Sequence, residues 1–301
     1  MSARFILSCE STIDLPYAYA QERDIPILFY AYSVDNQEYP DDMGRNPDAL
    51  PRFYAQLQQG HLPTTTQLNQ AAYLEFLEPL LMQGDVLHLV FGSGMTSSIQ
   101  NARTAANVLR KKYPQRKLFI VDSFCSSSGY GLMADGAADL RDQGATLEET
   151  ARWAESVAHS IHHQFFSTDL QYFRRSGRMS GPAAAIGAIL DICPLMRLNY
   201  DGKIIAYGKV QGKKRALRET VKAMEAHAVG GADYCGKCFI CHSNCLNEAQ
   251  TLKAALQEKI PHIQGDIRIC DIGTIIASHC GPRTAAVFFL GDERTPYTSE
   301  T

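Results

Sequence analysis

Residues 85–112, DVLHLVFGSGMTSSIQNARTAANVLRKK, are the stretch from which the fold is read. Val86 to Phe91 is a short apolar run of the kind that forms a strand buried on both faces. A Gly-Ser-Gly turn (Gly92, Ser93, Gly94) follows, then Thr96, Ser97 and Ser98, then a long stretch of helical character. Strand, glycine turn and helix in this order form the unit from which parallel α/β sheets are built. Amides at a helix start are unpaired and carry the positive end of the helix dipole, so the junction suits an anion. No Lys follows the glycines, which excludes a nucleotide P-loop. Hydroxyls and amides without a fixed cation suit a weakly charged group such as a carboxylate. The same hydroxyls also suit plain capping of the helix by Thr96 or Ser97.

Outward from this stretch, strand-like and helix-like segments alternate. Phe5 to Ser8 reads as a strand, Pro16 to Arg23 as a helix and Ile25 to Tyr32 as a second strand. A polar, turn-rich stretch (Ser33 to Arg45) leads to a helix near Asp48 to Gln58, and a Pro-Thr-Thr-Thr loop precedes the amphipathic helix Asn69 to Met82. Leu118 to Val121 is a further strand, and a small-residue helix runs from about Ser127 to Asp142. The pattern predicts an α/β fold whose N-terminal part is a mostly parallel sheet with helices on both faces. Thr146 followed by Glu149 reads as a capping box opening a helix from Leu147 to Ile161, which leads into a second domain. There the pattern changes. A strand at Gln164 to Ser167 precedes the basic stretch LQYFRRSGRMSG and the apolar helix Pro182 to Ile192. Two strands joined by an Asp-Gly turn at Asp201 and Gly202 imply an antiparallel component. Helix 213–228, strand 238–242, helix 247–259, strand 266–271 and strand Ala285 to Leu290 follow. The expected division is residues 1–160, an α/β domain carrying the anion-binding strand-loop-helix, and 161–301, an α+β domain with a mixed sheet.

Composition narrows the function classes. A hydrophobic share of 45% and a net charge of −3 fit a water-soluble chain and predict no nucleic-acid partner. No stretch approaches the ~20 apolar residues of a membrane span. The start, MSARFILSCE, lacks a signal-peptide core, and the nine cysteines are odd in number and scattered. Reduced thiols and a cytoplasmic location are the expectation.

Six motifs occur in order: CESTIDLP, PTTTQ at 63–67, FGSGMTSSIQNA at 91–102, VDSFCSSSGYG at 121–131, LQYFRRSGR at 170–178 and ASHCGP at 277–282. Together they resemble the DegV family, also described as fatty acid-binding subunits of the bacterial fatty acid kinase system, and the resemblance spans residues 5 to 290. It implies two α/β domains with a long-chain fatty acid between them, the tail in an apolar tunnel completed by the second domain and the carboxylate held near the surface. Thr65 stands where the family has the Thr of its Thr-Ser-Gln loop, and Thr96 where it has the Ser of Ser-Gly-Thr. His279 matches the late His-x-Gly-Pro motif and Arg178 the Arg of Gly-Gly-Arg. The implied ligand-binding set is therefore Thr65, Thr96, Ser97, Ser98, Gly94, His279 and Arg178, with Arg174 and Arg175 in a patch that docks a partner. That partner is the fatty acid kinase catalytic protein, with transient membrane contact during loading. No catalytic residue, metal or cofactor beyond the bound fatty acid is implied. The sequence departs from the family pattern at Glu10 (for Asp), at Thr96-Ser97-Ser98, at Ser176 (for Gly) and at Arg283 (for Gly).

Three other chemistries are written into the chain less fully. A hydrolase would use Ser123 or Ser93 with His279, but no Gly-x-Ser-x-Gly elbow is present. A Rossmann-like oxidoreductase would use the glycine turn with Asp122, yet Ser97 stands where a third Gly or Ala belongs. Cys235, Cys238, Cys241 and Cys245 have the spacing of an iron–sulfur run. On a strand, however, Cys238 and Cys241 point to opposite faces, which disfavours one shared cluster.

Overall fold

The computed structural model describes residues 5–180 and 192–296. The chain runs β1 (Ile6–Glu10), α1 (Tyr17–Glu22), β2 (Ile27–Leu28), β3 (Ala31–Val34), β4 (Gln37–Pro40), α2 (Ala49–Gln58), β5 (Thr64–Thr66), α3 (Gln70–Gln83) and β6 (Val86–Val90). It continues with α4 (Ser98–Lys112), β7 (Leu118–Asp122), α5 (Ser127–Asp142), α6 (Leu147–Val157), β8 (Ile161–Ser167), α7 (Gln171–Ser176) and β9 (Met179–Ser180). After the undescribed 181–191 come β10 (Ile192–Leu198), β11 (Ile204–Gln211), α8 (Lys213–His227), β12 (Cys238–His242), α9 (Leu246–Lys259), β13 (Arg268–Asp271), α10 (Thr274–Cys280) and β14 (Thr284–Leu290).

The first sheet has the order β2-β1-β6-β7 and is parallel throughout. Every residue of β6 is buried, as an apolar run without alternation requires when helices cover both faces. A second, three-stranded antiparallel sheet, β4-β3-β5, lies beside it. Its β3–β4 hairpin turns at Asp35 and Asn36, both with positive φ (51° and 63°), the residue types that tolerate a tight primed turn. The third sheet is mixed, with the order β13-β12-β14-β8-β10-β11-β9. Fold class thus agrees with the sequence reading: a helix-flanked parallel sheet first, a mixed sheet after it.

The seven-stranded sheet has two apolar faces, and its period of two sorts side chains between them. Ile240, Val287 and Phe289 pack with α8 and α9, whereas Phe239, Cys241, Ala286 and Phe288 face the core shared with the first sheet. Helix α5 lies between the sheets, touching β1 on one side and β8, β12 and β14 on the other. Its small residues make that possible. A Cβ on Gly129 would lie 2.3 Å from the His163 ring and 2.8 Å from Phe288.

Several expected elements are redrawn. The strand expected over Ile25 to Tyr32 breaks into β2 and β3, which belong to different sheets, and the Tyr30 amide between them donates to Ser11 Oγ at 3.1 Å. The expected Thr64–Thr66 loop is β5, and part of the turn-rich stretch is β4. The helix expected to reach Ile161 ends at Val157, because IHHQFFS is buried on both faces as β8, one of the central strands of the third sheet. The apolar helix expected at Pro182 to Ile192, with Ala183, Ala184, Ala185 and Gly187, lies outside the described residues except for Ile192, which opens β10.

Candidate functional site

A cavity of about 380 Å³ opens between the inner face of the seven-stranded sheet and the elements of the N-terminal half. Its wall is largely apolar. Phe165 comes from β8, Ala286 and Phe288 from β14, Ile275 from α10, Phe173 from α7, and Phe91 from the loop after β6. Polar side chains gather where residues are exposed or half-buried: Thr65, Thr66 and Gln67, Thr96 and Ser97, Ser176, Arg178 and His279. Tyr30, Ser127, His163 and Thr284 add buried polar groups to the wall, but the exposed polar cluster lies in one region, as an amphiphile with a single polar end requires.

At the mouth, Thr65 Oγ1 and His279 Nε2 are hydrogen-bonded at 2.8 Å. β5 reaches this point by pairing with β3, where Thr65 lies opposite Tyr32. Helix α10 is positioned by two buried carboxylates: the Gly273 amide donates to Asp14 Oδ1 (3.0 Å) and Thr274 Oγ1 to Asp41 Oδ1 (2.8 Å). Arg175 joins the two sides, its guanidinium donating to the Pro63 carbonyl at 2.8 Å and the Ser278 carbonyl at 3.3 Å. Burial, helped by the cations of Arg178 and Arg175, pushes His279 down to about 4. The imidazole is therefore neutral at physiological pH and offers a hydrogen bond, not a charge.

On the other side of the mouth, Thr96 heads a chain of hydroxyls running inward. Its Oγ1 is 3.0 Å from Ser98 Oγ and accepts from the Ser98 amide at 3.2 Å. Ser98 Oγ is 3.1 Å from the Tyr30 hydroxyl, which reaches Glu10 Oε2 at 3.2 Å. Glu10 is fully buried and also accepts from the Phe91 amide (2.9 Å) and the Tyr73 hydroxyl. A carboxylate this deep is tolerable only with several donors, and these supply them. At the cavity's buried end stands His163, its Nε2 accepting from the Ser126 amide at 3.0 Å and its Nδ1 within 3.1 Å of the Ile161 carbonyl. Burial holds it well below the usual histidine range, so it too is uncharged.

The structure brings Thr65, Thr96, Ser97, Arg178 and His279 to one cavity mouth. Ser98 and Gly94 stand elsewhere. Ser98 is buried behind Thr96 in the hydroxyl chain, and Gly94 is a contact point between the two halves of the chain. A Cβ on Gly94 would lie 2.4 Å from the Gly202 backbone, so the residue must lack one. Arg174 is exposed beside the mouth, whereas Arg175 is committed to the internal clip described above. Tyr30, His163 and Cys241 also line the cavity, and no motif in the sequence marks them. Glu10 carries a signal for Tyr30: a charged residue closing an apolar strand needs partners nearby.

Ser123, His279, Asp122, Cys238 and Cys241, which suggested a hydrolase, a Rossmann site or an iron–sulfur cluster, are engaged in structural contacts. Ser123 Oγ accepts from the Cys125 amide at 3.2 Å, away from the cavity, and His279 is paired with a hydroxyl, not with a carboxylate. Asp122, which a dinucleotide site would point at a ribose, instead accepts from the Ser93 amide (3.1 Å) and the Phe124 amide (3.0 Å). Cys238 packs with the outer core and Cys241 with the inner one, so the sheet itself separates them.

A family model described as "Uncharacterised protein, DegV family" matches residues 6–292. A DegV domain-containing protein of Clostridium perfringens is 34% identical over 295 residues, covering 97% of this chain and 99% of that one. Among solved structures, a fatty acid binding DegV family protein from Streptococcus agalactiae is 26% identical with a TM-score of 0.80, covering 97% of this chain and 100% of its own. A DegV lipid binding protein from Thermotoga maritima has a TM-score of 0.83 at 20% identity, covering 97% and 100%. With the family model spanning nearly its whole length and that Clostridium relative matching end to end, this chain is a member of the DegV family.

Proposed function

We propose that this chain binds a long-chain fatty acid, burying the tail in the cavity and holding the carboxylate at Thr65, Thr96, Ser97 and His279, with Arg178 alongside. The observation that carries the reading is one largely apolar hollow with a cluster of hydroxyls and a neutral imidazole at its mouth. Hydroxyls and a neutral imidazole satisfy a carboxylate without fixing it, and the exposed Arg178 adds a solvent-screened charge, so the group stays available to a second protein. Burying a methylene stabilises by about 0.8 kcal/mol, so a tail of about sixteen carbons contributes roughly 10 kcal/mol before association costs. That suffices to hold a molecule that otherwise partitions into membrane.

The chain on this reading is a carrier, not an enzyme, and needs no cofactor. It takes its ligand by transient membrane contact in the cytoplasm, helped by the exposed Leu62 beside β5. It then presents the carboxylate to a fatty acid kinase catalytic protein, which forms the acyl phosphate. Among the described residues no helix is long and apolar enough to cross a membrane. Native mass spectrometry of purified protein tests the binding, with the expected species heavier by a fatty acid; apoprotein that refuses added fatty acid refutes it. Trapping of acyl phosphate with hydroxylamine, in the presence of ATP and the kinase, tests the presentation.

A further inference from the structure

On the face of the seven-stranded sheet turned away from the cavity, three side chains converge that the lipid site does not use. Neighbouring histidines on β8 part across the sheet: His163 lines the cavity, while His162 points outward beneath the end of α8. There it meets His227, the last residue of α8, and Asp292, just beyond β14. His162 Nε2 is 2.8 Å from Asp292 Oδ1, and His227 Nδ1 is 3.2 Å from both Asp292 carboxylate oxygens. A tetrahedral zinc site with arms of about 2.0–2.1 Å has its ligand atoms roughly 3.3 Å apart; both pairs that include Asp292 are close to this, and all three ligand atoms lie within 4.8 Å of one another. Among the described residues these are the three whose ligand atoms gather in this way.

We propose that His162, His227 and Asp292 form a binding site for a divalent transition metal of the zinc class, with a fourth position left to water. Two imidazoles and one carboxylate are a donor set suited to zinc and its neighbours, and unsuited to magnesium or calcium. The frame around the site is built. The Asp292 amide donates to the His227 carbonyl at 2.9 Å, and the Gly291 amide to the Ser160 carbonyl at 2.8 Å. A Cβ on Gly291 would lie 2.6 Å from His162 Cδ2, so this backbone lies directly against the imidazole. Phe289 stacks on the same ring at 5.2 Å. The His162 ring is thus held, whereas the partly exposed His227 and exposed Asp292 are free to close on an ion by side-chain rotation.

A second observation points the same way. Gln164 is buried, its amide nitrogen 3.5 Å from His162 Nδ1, and its Oε1 has no hydrogen-bond partner among the described residues. Turning that amide over brings the oxygen to Nδ1, where it accepts the Nδ1 proton and leaves the Nε2 lone pair for a metal. Metal-bound histidines are ordinarily supported in this way. As placed, with Gln164 Nε2 facing Nδ1, the His162 proton sits on Nε2 and donates to the Asp292 main-chain carbonyl at 2.9 Å, with the Asp292 carboxylate at 2.8 Å beside it. On metal binding that proton moves to Nδ1, and the ion at Nε2 ties β8, the end of α8 and the end of β14 together.

The test is titration of the full chain, freed of metal by chelator, with cobalt(II) chloride, followed by zinc chloride competition. The expected result is a single equivalent with the visible bands of nitrogen and oxygen coordination, without the thiolate charge-transfer band that the exposed Cys235 would produce. Asp292→Asn and His227→Gln are each expected to weaken binding by about tenfold or more. Zinc should raise the melting temperature of the parent chain and not that of either variant. Both substitutions sit at or near the surface, so they keep the test open should a variant at the buried His162 fail to fold. No cobalt uptake, a thiolate-type spectrum, or undiminished affinity in both variants overturns the proposal, whatever the outcome at the lipid site.

Discussion

Thr65 and His279 satisfy each other, and this sets what each substitution does. On the proposed function, Thr65→Val removes one donor to a bound carboxylate, and it strands His279 Nε2 in a partly dry mouth. Leaving such a group unpaired costs about 1–3 kcal/mol, so fatty acid affinity should fall roughly tenfold or more by fluorescent-probe displacement, with Thr65→Ser restoring it. His279 also leaves a mark on stability. Its folded-state value is lowered from 6.5 to about 4, so between those values the unfolded chain binds a proton that the folded chain does not. Its contribution is present above pH 6.5 and is lost as pH falls toward 4. His279→Asn should therefore make stability fall less steeply over that range, as read from urea midpoints. Gly94 acts differently: Gly94→Ala forces a methyl to 2.4 Å from the Gly202 backbone, and a loss of about 1–3 kcal/mol is expected in chemical denaturation. The sequence marks Gly94 as special, yet its contact with residue 202 is a long-range fact that no local pattern encodes.

Among the elements, those specified locally were the legible ones. The box that opens α6 is present as its residues predict, with Thr146 Oγ1 accepting from the Glu149 amide and the Glu149 carboxylate accepting from the Thr146 amide. Thr146→Ala is expected to cost about 1 kcal/mol, measured by thermal or urea unfolding. The β6–loop–α4 unit was likewise legible, because an apolar run, glycines and hydroxyls each announce their own conformation. β5 was not. Three threonines carry no alternation, and their strand geometry is imposed by pairing with β3. The end of α6 was misplaced because the segment before β8 continues a helical pattern, and only the sheet's demand for a central strand decides otherwise. β14 offers the sharpest test of the cavity wall. Ala286 faces the hollow and is 4% exposed, so Ala286→Phe should fill space that a tail would occupy. The expected outcome is a tenfold or greater loss of fatty acid binding with little change in melting temperature.

At the scale of the molecule, the site is a product of assembly. Its mouth draws on β5, the start of α4, the end of α7 and α10, and its wall on the seven-stranded sheet. The motifs carrying the family resemblance are scattered along the chain for that reason, and five of the seven residues it marked for the ligand meet at one mouth. What the sequence could not show is how α5 is sandwiched, since that depends on side chains from strands more than a hundred residues apart. The two faces of the third sheet carry separate features, the apolar cavity within and the His162 cluster without. Substitutions at one face should leave the other undisturbed, which paired lipid and cobalt titrations of Asp292→Asn and Thr65→Val would check.

β14 sits in the middle of the seven-stranded sheet, between β12 and β8, although it comes from residues 284–290. A ribosome delivers it after every other described strand, so both flanking strands wait with bare edges while synthesis finishes. Ala286 and Phe288 arrive only then, so the growing polypeptide lacks this part of the cavity wall before them. On the proposed function, an acyl chain loads after translation, by exchange with a finished molecule, and a polypeptide truncated ahead of residue 284 should emerge sticky and empty.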